Sequence, residues 1–186
     1  MAEYIYLDNN STTPVDPRVI EAMNPFFSQH FANASSSHRF GQATKKYIDQ
    51  SRYFVSTLIN STPSEIVFTS GATEALNLAL KGLVSAKPGT NHIITSQSEH
   101  PAVLDTCRSL ENKGVEVTYL SVNRHGLVGL KDIEEAIKPN TILVSVMLAN
   151  NETGVIQPIE RISEICRRND VLLLSDATQA VGKIPV

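Results

Sequence analysis

Four polar strings in this chain hold residue types suited to chemistry, and each follows a β-prone run. The first is Thr69-Ser70-Gly71-Ala72-Thr73-Glu74, ahead of an Ala/Leu-rich stretch. Small residues at a strand-to-helix junction let backbone N–H groups and hydroxyls meet an anion at the positive end of a helix dipole. The string is neither a Walker A sequence nor G-x-G-x-x-G, and a plain helix cap competes with a phosphate seat at Gly71, Ala72 and Thr73. The second, Ser98-Glu99-His100-Pro101, offers an imidazole that can stack on a ring or exchange a proton near neutral pH, although a lone loop histidine is more often just a surface residue. Asn150-Asn151-Glu152-Thr153-Gly154 supplies amides able to bind a phenolic oxygen or a carboxylate, while Asn and Gly also favour turns. The fourth, Leu174-Ser175-Asp176-Ala177-Thr178-Gln179, places Asp176 just past an apolar run, where ligands of open α/β sheets bind. A carboxylate there can hold a protonated heterocyclic nitrogen and Gln179 can donate to a ring oxygen; an aspartate capping the next turn is the competing reading.

Groups so far apart in sequence act together only if a fold brings them to one rim. Five short runs read as strands: Ile66-Val67-Phe68-Thr69, His92-Ile93-Ile94-Thr95, Val115 to Leu120, Ile142 to Met147 and Val171 to Leu174. Between them lie helical stretches. One runs from Ala72 to Val84 and is ended by Lys87-Pro88-Gly89. Pro101 opens the next, whose apolar face is Val103, Leu104, Cys107 and Leu110 and which Lys113-Gly114 closes. Asn123-Arg124-His125-Gly126 is a turn, Leu130 to Ile137 a short helix, and Ile159, Ile162 and Ile165 face a helix ending near Arg168-Asn169. Val171 to Leu174 is apolar throughout, which predicts a strand buried on both sides.

The fold class expected is α/β, a mainly parallel sheet with helices on both faces. Residues 1–60 read as a helical lead-in, with Asp16-Pro17 starting one helix and a second running roughly from Gly41 to Ile59. Residues 61–186 read as the front part of a larger α/β domain, because a central-looking strand and its loop are followed at once by Lys183-Ile184-Pro185-Val186. Such a sheet leaves an exposed edge or is completed from outside. In this order the four polar strings face one rim. A phosphate seat, a stacking histidine, amides for a ring oxygen and a carboxylate for a ring nitrogen together describe a pyridoxal phosphate pocket.

Composition narrows the classes further. The 186 residues are 41% hydrophobic and 19% charged with a net charge of −3, so a core is available and no basic footprint for nucleic acid exists. No apolar run approaches membrane-spanning length, and Met1-Ala2-Glu3-Tyr4 lacks the start of a secretory signal. Two cysteines, Cys107 and Cys166, make no disulfide framework or metal site. A cytoplasmic location, without membrane or nucleic-acid partners, is the expectation.

Tyr6-Leu7-Asp8-Asn9-Asn10-Ser11-Thr12-Thr13-Pro14 and Ile66 to Glu74 resemble the NifS/IscS-like cysteine desulfurases. So do Ser98-Glu99-His100, Asn150 to Gly154 and Asp176-Ala177-Thr178-Gln179. The resemblance runs in order along the chain and implies the fold-type I, class V aminotransferase architecture. It further implies that Thr73 and its neighbours bind phosphate, that His100 stacks on the pyridine ring and handles protons, and that Asp176 pairs with the ring nitrogen. Asn151 and Gln179 would approach the ring oxygen. Ala34 follows Asn33 where many relatives have proline, a loop-level departure. By the same resemblance the Schiff-base lysine, the persulfide-forming cysteine, the substrate-carboxylate arginine and the small domain lie beyond Val186.

The whole enzyme implied takes sulfur from L-cysteine, releases L-alanine and passes a persulfide to an acceptor or scaffold protein of iron–sulfur assembly or to tRNA thiolation, as a homodimer. This chain alone would be inactive. Three other readings stand beside it: a non-catalytic binding or dimerisation pseudoenzyme, one half of a split enzyme, and another class V reaction such as selenocysteine cleavage or transamination. Lys183 reads as a solvated loop lysine, and Cys107 and Cys166 as small hydrophobes on helix faces. His30, His38, His92 and His125 show no partner spacing.

Overall fold

The computed structural model describes residues 4–87 and 92–186 and divides into two compact units, Met1–Phe68 and Thr69–Val186. Met1-Ala2-Glu3 and the expected helix end at Pro88-Gly89 lie outside the described residues.

In the first unit Asp16 caps helix α1 (Pro17–Ser28), its carboxylate accepting the Arg18 N–H at 2.8 Å, with proline in the first turn. Helix α2 (Arg39–Leu58) starts two residues ahead of the expected Gly41, because the His38 imidazole serves as the cap and accepts the Gly41 N–H at 3.1 Å. Gly41 is needed for closeness: a Cβ there would sit 2.6 Å from the Ser36 carbonyl oxygen. The expected strand Ile66-Val67-Phe68-Thr69 does not form. Ile66 has extended torsions, φ −92° and ψ 124°, but the run has no ladder partner among the described residues, and Val67 is 68% exposed. β-propensity is realised only where a neighbouring strand takes up the backbone groups. Arg52 instead bonds the Ile66 carbonyl and lies 5.0 Å over the Phe68 ring.

The second unit follows the expected alternation. It runs α3 (Ala72–Ala86), β1 (His92–Ser96), α4 (Pro101–Glu111), β2 (Glu116–Leu120), α5 (Leu130–Ala136), β3 (Thr141–Ser145), α6 (Ile159–Arg168) and β4 (Leu172–Leu174). The four strands are parallel in the order β2-β1-β3-β4. Gly114, with φ +88°, ends the turn after α4 as expected of a left-handed glycine. Alternating side chains divide the core: Ile93 and Leu143 pack with Leu76, Leu80, Val103 and Cys107 of α3 and α4, while Ile94 and Val144 pack with Ile133, Ile162 and Ile165 of α5 and α6. The sheet is therefore covered on both faces.

One expectation about the sheet fails. Val171 to Leu174 is not buried on both sides, for β4 is an edge strand and Leu172 is 49% exposed. An all-apolar run reports a hydrophobic surface, not which neighbours cover it. His92, buried at the amino end of β1, ties three strands together. Its Nδ1 lies 2.7 Å from Thr141 Oγ1 on β3 and its Nε2 2.8 Å from Thr118 Oγ1 on β2. Burial holds this imidazole below its ordinary pKa. No described helix is long and apolar enough to cross a membrane.

Candidate functional site

The strand order places a topological switch point between β1 and β3. The chain leaves β1 toward α4 on one face and leaves β3 toward α6 on the other, opening a crevice beyond the carboxyl ends of both strands. Three of the four polar strings follow β1, β3 and β4 at this rim. The fourth opens α3, which packs beside α4 and precedes β1, so that its N-terminus also faces the carboxyl side of the sheet. The sequence-predicted residues are thus brought to one rim of one unit.

At the start of α3, Gly71 is the N-cap and makes no side-chain capping bond. Ser70 is spoken for: the Glu74 carboxylate accepts both its N–H and its hydroxyl at 2.6 Å, which holds that carboxyl below its usual range. The first-turn amides at Ala72 and Thr73 have no intrahelical acceptor, as at any helix start, and nothing lies within 4 Å of a Cβ built on Gly71.

His100 is exposed and N-caps α4, with Nδ1 accepting the Ala102 N–H at 3.1 Å. An Nδ1 that accepts carries no proton, so the neutral ring holds its hydrogen on Nε2. Its neighbour Glu99 was not singled out by sequence reasoning. This carboxyl is 5% exposed; Oε1 accepts the Met147 N–H at 2.8 Å, and Oε2 is buried without a partner. Burial pushes its pKa up to about 7, with the Asp176 carboxylate adding to the rise. The available signal was position, a charged residue three places after a strand buried along its whole length.

The asparagine pair divides its work. Asn150 is structural: Oδ1 accepts the Glu152 N–H at 3.0 Å and the Thr153 N–H at 2.8 Å, and Nδ2 donates to the Ser98 carbonyl at 2.9 Å. Asn151 makes no side-chain hydrogen bond among the described residues and is half-buried, which leaves its amide for a ligand. Replacing Asn150 by alanine should cost about 1–3 kcal/mol in urea unfolding and raise the exchange rate of the Thr153 amide, because the Ser98 carbonyl and two turn amides lose their partner.

Asp176 combines both readings of its string. Oδ1 accepts the Thr178 N–H at 2.9 Å, fixing the turn, and the half-buried side chain keeps Oδ2 for another donor. Its carbonyl accepts the Leu148 N–H at 2.9 Å, tying the loops after β3 and β4. Ser175 Oγ, beside it, is buried without a partner. Gln179 is half-buried, and its Oε1 accepts from Lys183, an exposed lysine. Cys107 and Cys166 are buried, and burial raises both thiols, Cys107 to about 12, so neither is a poised nucleophile.

The donor set fits a phosphorylated, protonatable aromatic ring. An uncapped helix start with open space at Gly71 suits the phosphate, a carboxylate oxygen suits a ring N–H, and Asn151 suits an oxygen acceptor. Among the described residues no cluster of His, Cys, Asp or Glu could hold a metal ion.

Comparison with known proteins agrees with this chemistry. The chain is 53% identical over 187 residues to cysteine desulfurase IscS of Pectobacterium carotovorum, covering 98% of this chain and 46% of that protein. It is 51% identical over 186 residues to a mitochondrial cysteine desulfurase of Arthroderma benhamiae, covering 98% of this chain and 37% of the relative. A solved structure of SspA in complex with cysteine superposes with a TM-score of 0.95 at 41% identity, over 97% of this chain and 52% of that one. The chain thus spans about half the length of its relatives or less. These relatives form a family of pyridoxal phosphate enzymes. With a profile of that family matching residues 5–186, the chain belongs to the aminotransferase class-V family.

Proposed function

We propose that this chain is the cofactor-cradling front part of a cysteine desulfurase. The observation that supports the reading is that the loops of His100, Asn151 and Asp176 follow β1, β3 and β4 at one rim of the sheet, with the start of α3 at Thr73 on the same side. Pyridoxal phosphate, when bound, supplies an electron sink for chemistry at the α-carbon of an amino acid. The start of α3, at Gly71, Ala72 and Thr73, would hold the phosphate through backbone amides. Asp176 Oδ2 would keep a ring nitrogen protonated, and Asn151 with Gln179 would orient the ring oxygen. His100 would stack on the ring and hold a movable proton at Nε2. L-Cysteine is the proposed substrate, in line with the cysteine bound to the SspA relative. The proposed whole protein is a homodimer that hands sulfur to an acceptor or scaffold protein of iron–sulfur assembly, and the cytoplasm is its proposed location.

The test is an absorbance titration of the chain with pyridoxal phosphate. Binding should weaken about ten- to a hundredfold in D176A, the loss of one charge-assisted hydrogen bond. Equal affinity of wild type and D176A would remove the carboxylate from the site and the reading with it.

A further inference from the structure

Glu99 is a buried acid that the proposed function does not use. It stands on the loop between β1 and α4, directly before His100, and reaches across the switch point to the Met147 amide just past β3. In a second bond the side chain of the β3 loop does the reaching, Asn150 Nδ2 donating to the Ser98 carbonyl. The residues on both sides of His100 are therefore fixed. Behind it, Ser98 and Glu99 are pinned to the β3 loop; ahead of it, its own Nδ1 caps α4 through Ala102.

We propose that Glu99 is a positioning residue for His100, its carboxyl acting as a strut between the β1 and β3 loops that sets where the imidazole stands. The proposal rests on the reading of His100 as part of a cofactor site. Removing the Oε1 acceptor would leave the Met147 N–H, buried beneath the loop, without a partner, and would free the residue before the helix cap. Oε2 has no partner, so the neutral acid is the form that burial favours. The titratable groups that act on it are the Asp176 carboxylate from the loop after β4 and the Cys107 thiol from α4, with no cation beside them among the described residues. Ionising Glu99 would set two carboxylates against each other at the rim and shift the loop that His100 ends.

The experiment is NMR of the whole chain in two variants. E99Q keeps the acceptor and removes the acidic proton; E99D keeps the acid and withdraws it by one methylene. E99Q should leave the His100 ring as the Nε2–H tautomer, with Ala102 amide exchange as in wild type. E99D should speed exchange at both Met147 and Ala102 by about tenfold and populate the other tautomer, as a loosened helix cap requires. Unchanged Ala102 exchange and tautomer in E99D would overturn the proposal, and so would an E99Q variant disturbed as much as E99D. If E99D does not fold, the pH series of E99Q decides. The His100 ring-shift curves of wild type and E99Q should diverge over the range in which Glu99 ionises, and superimposable curves would overturn the strut. Titration of the same samples with pyridoxal phosphate separates the two ideas. A wild type that shows the coupling but binds no cofactor refutes the functional reading and leaves the strut standing.

Discussion

Replacing Glu99 by glutamine should make the protein more stable at pH 8 by about 3 kcal/mol while changing little at pH 4, a difference read from urea unfolding across that range. The direction follows from the proton count. Burial raises the carboxyl from 4.5 to about 7 in the folded chain, so between those values the folded state holds a proton that the unfolded state has released. Stability is complete below the unfolded pKa, falls as pH rises through this window, and levels off above about 7. Glutamine keeps the oxygen that accepts the Met147 N–H and has no charge to bury. The wild-type minus E99Q difference isolates this one group from every other carboxylate that titrates nearby. A difference that does not change between pH 5 and pH 8 would mean that Glu99 is as well solvated as an ordinary surface carboxyl.

Leu80→Ala should cost about 2–5 kcal/mol, the range for emptying a fully buried leucine site. Leu80 is 0% exposed, and with Leu76 it forms the buried stripe that docks α3 into the cluster of Ile93, Val103 and Leu143. Little else on that helix is buried. The loss should therefore appear first as faster amide exchange along α3, before the sheet is affected, and then as weaker cofactor binding, since α3 carries the phosphate seat. A thermal scan with exchange mapping checks both parts. Uniform loss of protection over strands and helices would show that α3 is not a separately loosened element.

Many of the helices were legible because their signals were periodic or local. The i, i+3, i+6 spacing of Ile159, Ile162 and Ile165, the cap at Asp16 and the helix-opening Pro101 all report local geometry, and local geometry follows from local sequence. The failures share another cause. Ile66 to Thr69 and Val171 to Leu174 were read correctly as β-prone and wrongly as to their neighbours, since pairing is a property of the other strand. At the site, residue types pointed to the strings that hold Thr73, His100, the asparagine pair and Asp176, and only the resemblance singled out Asn151. Residue types were not enough to find Glu99 or to tell Asn150 from Asn151, because those differences are made by bonds across the switch point between residues about fifty positions apart.

The histidine at the opposite rim holds its two threonines unequally. Thr141 Oγ1 accepts the Lys138 N–H at 2.7 Å and also meets His92 Nδ1, whereas Thr118 Oγ1 meets His92 Nε2. A chain of hydrogen bonds thus runs from the turn before β3, through β1, to β2. Such a chain is not symmetric under substitution. Valine at position 118 strands one ring nitrogen, whereas valine at 141 leaves the other ring nitrogen and the Lys138 N–H without their shared partner. The two outer threonines look interchangeable by distance, but the sheet's amino rim depends on them unequally.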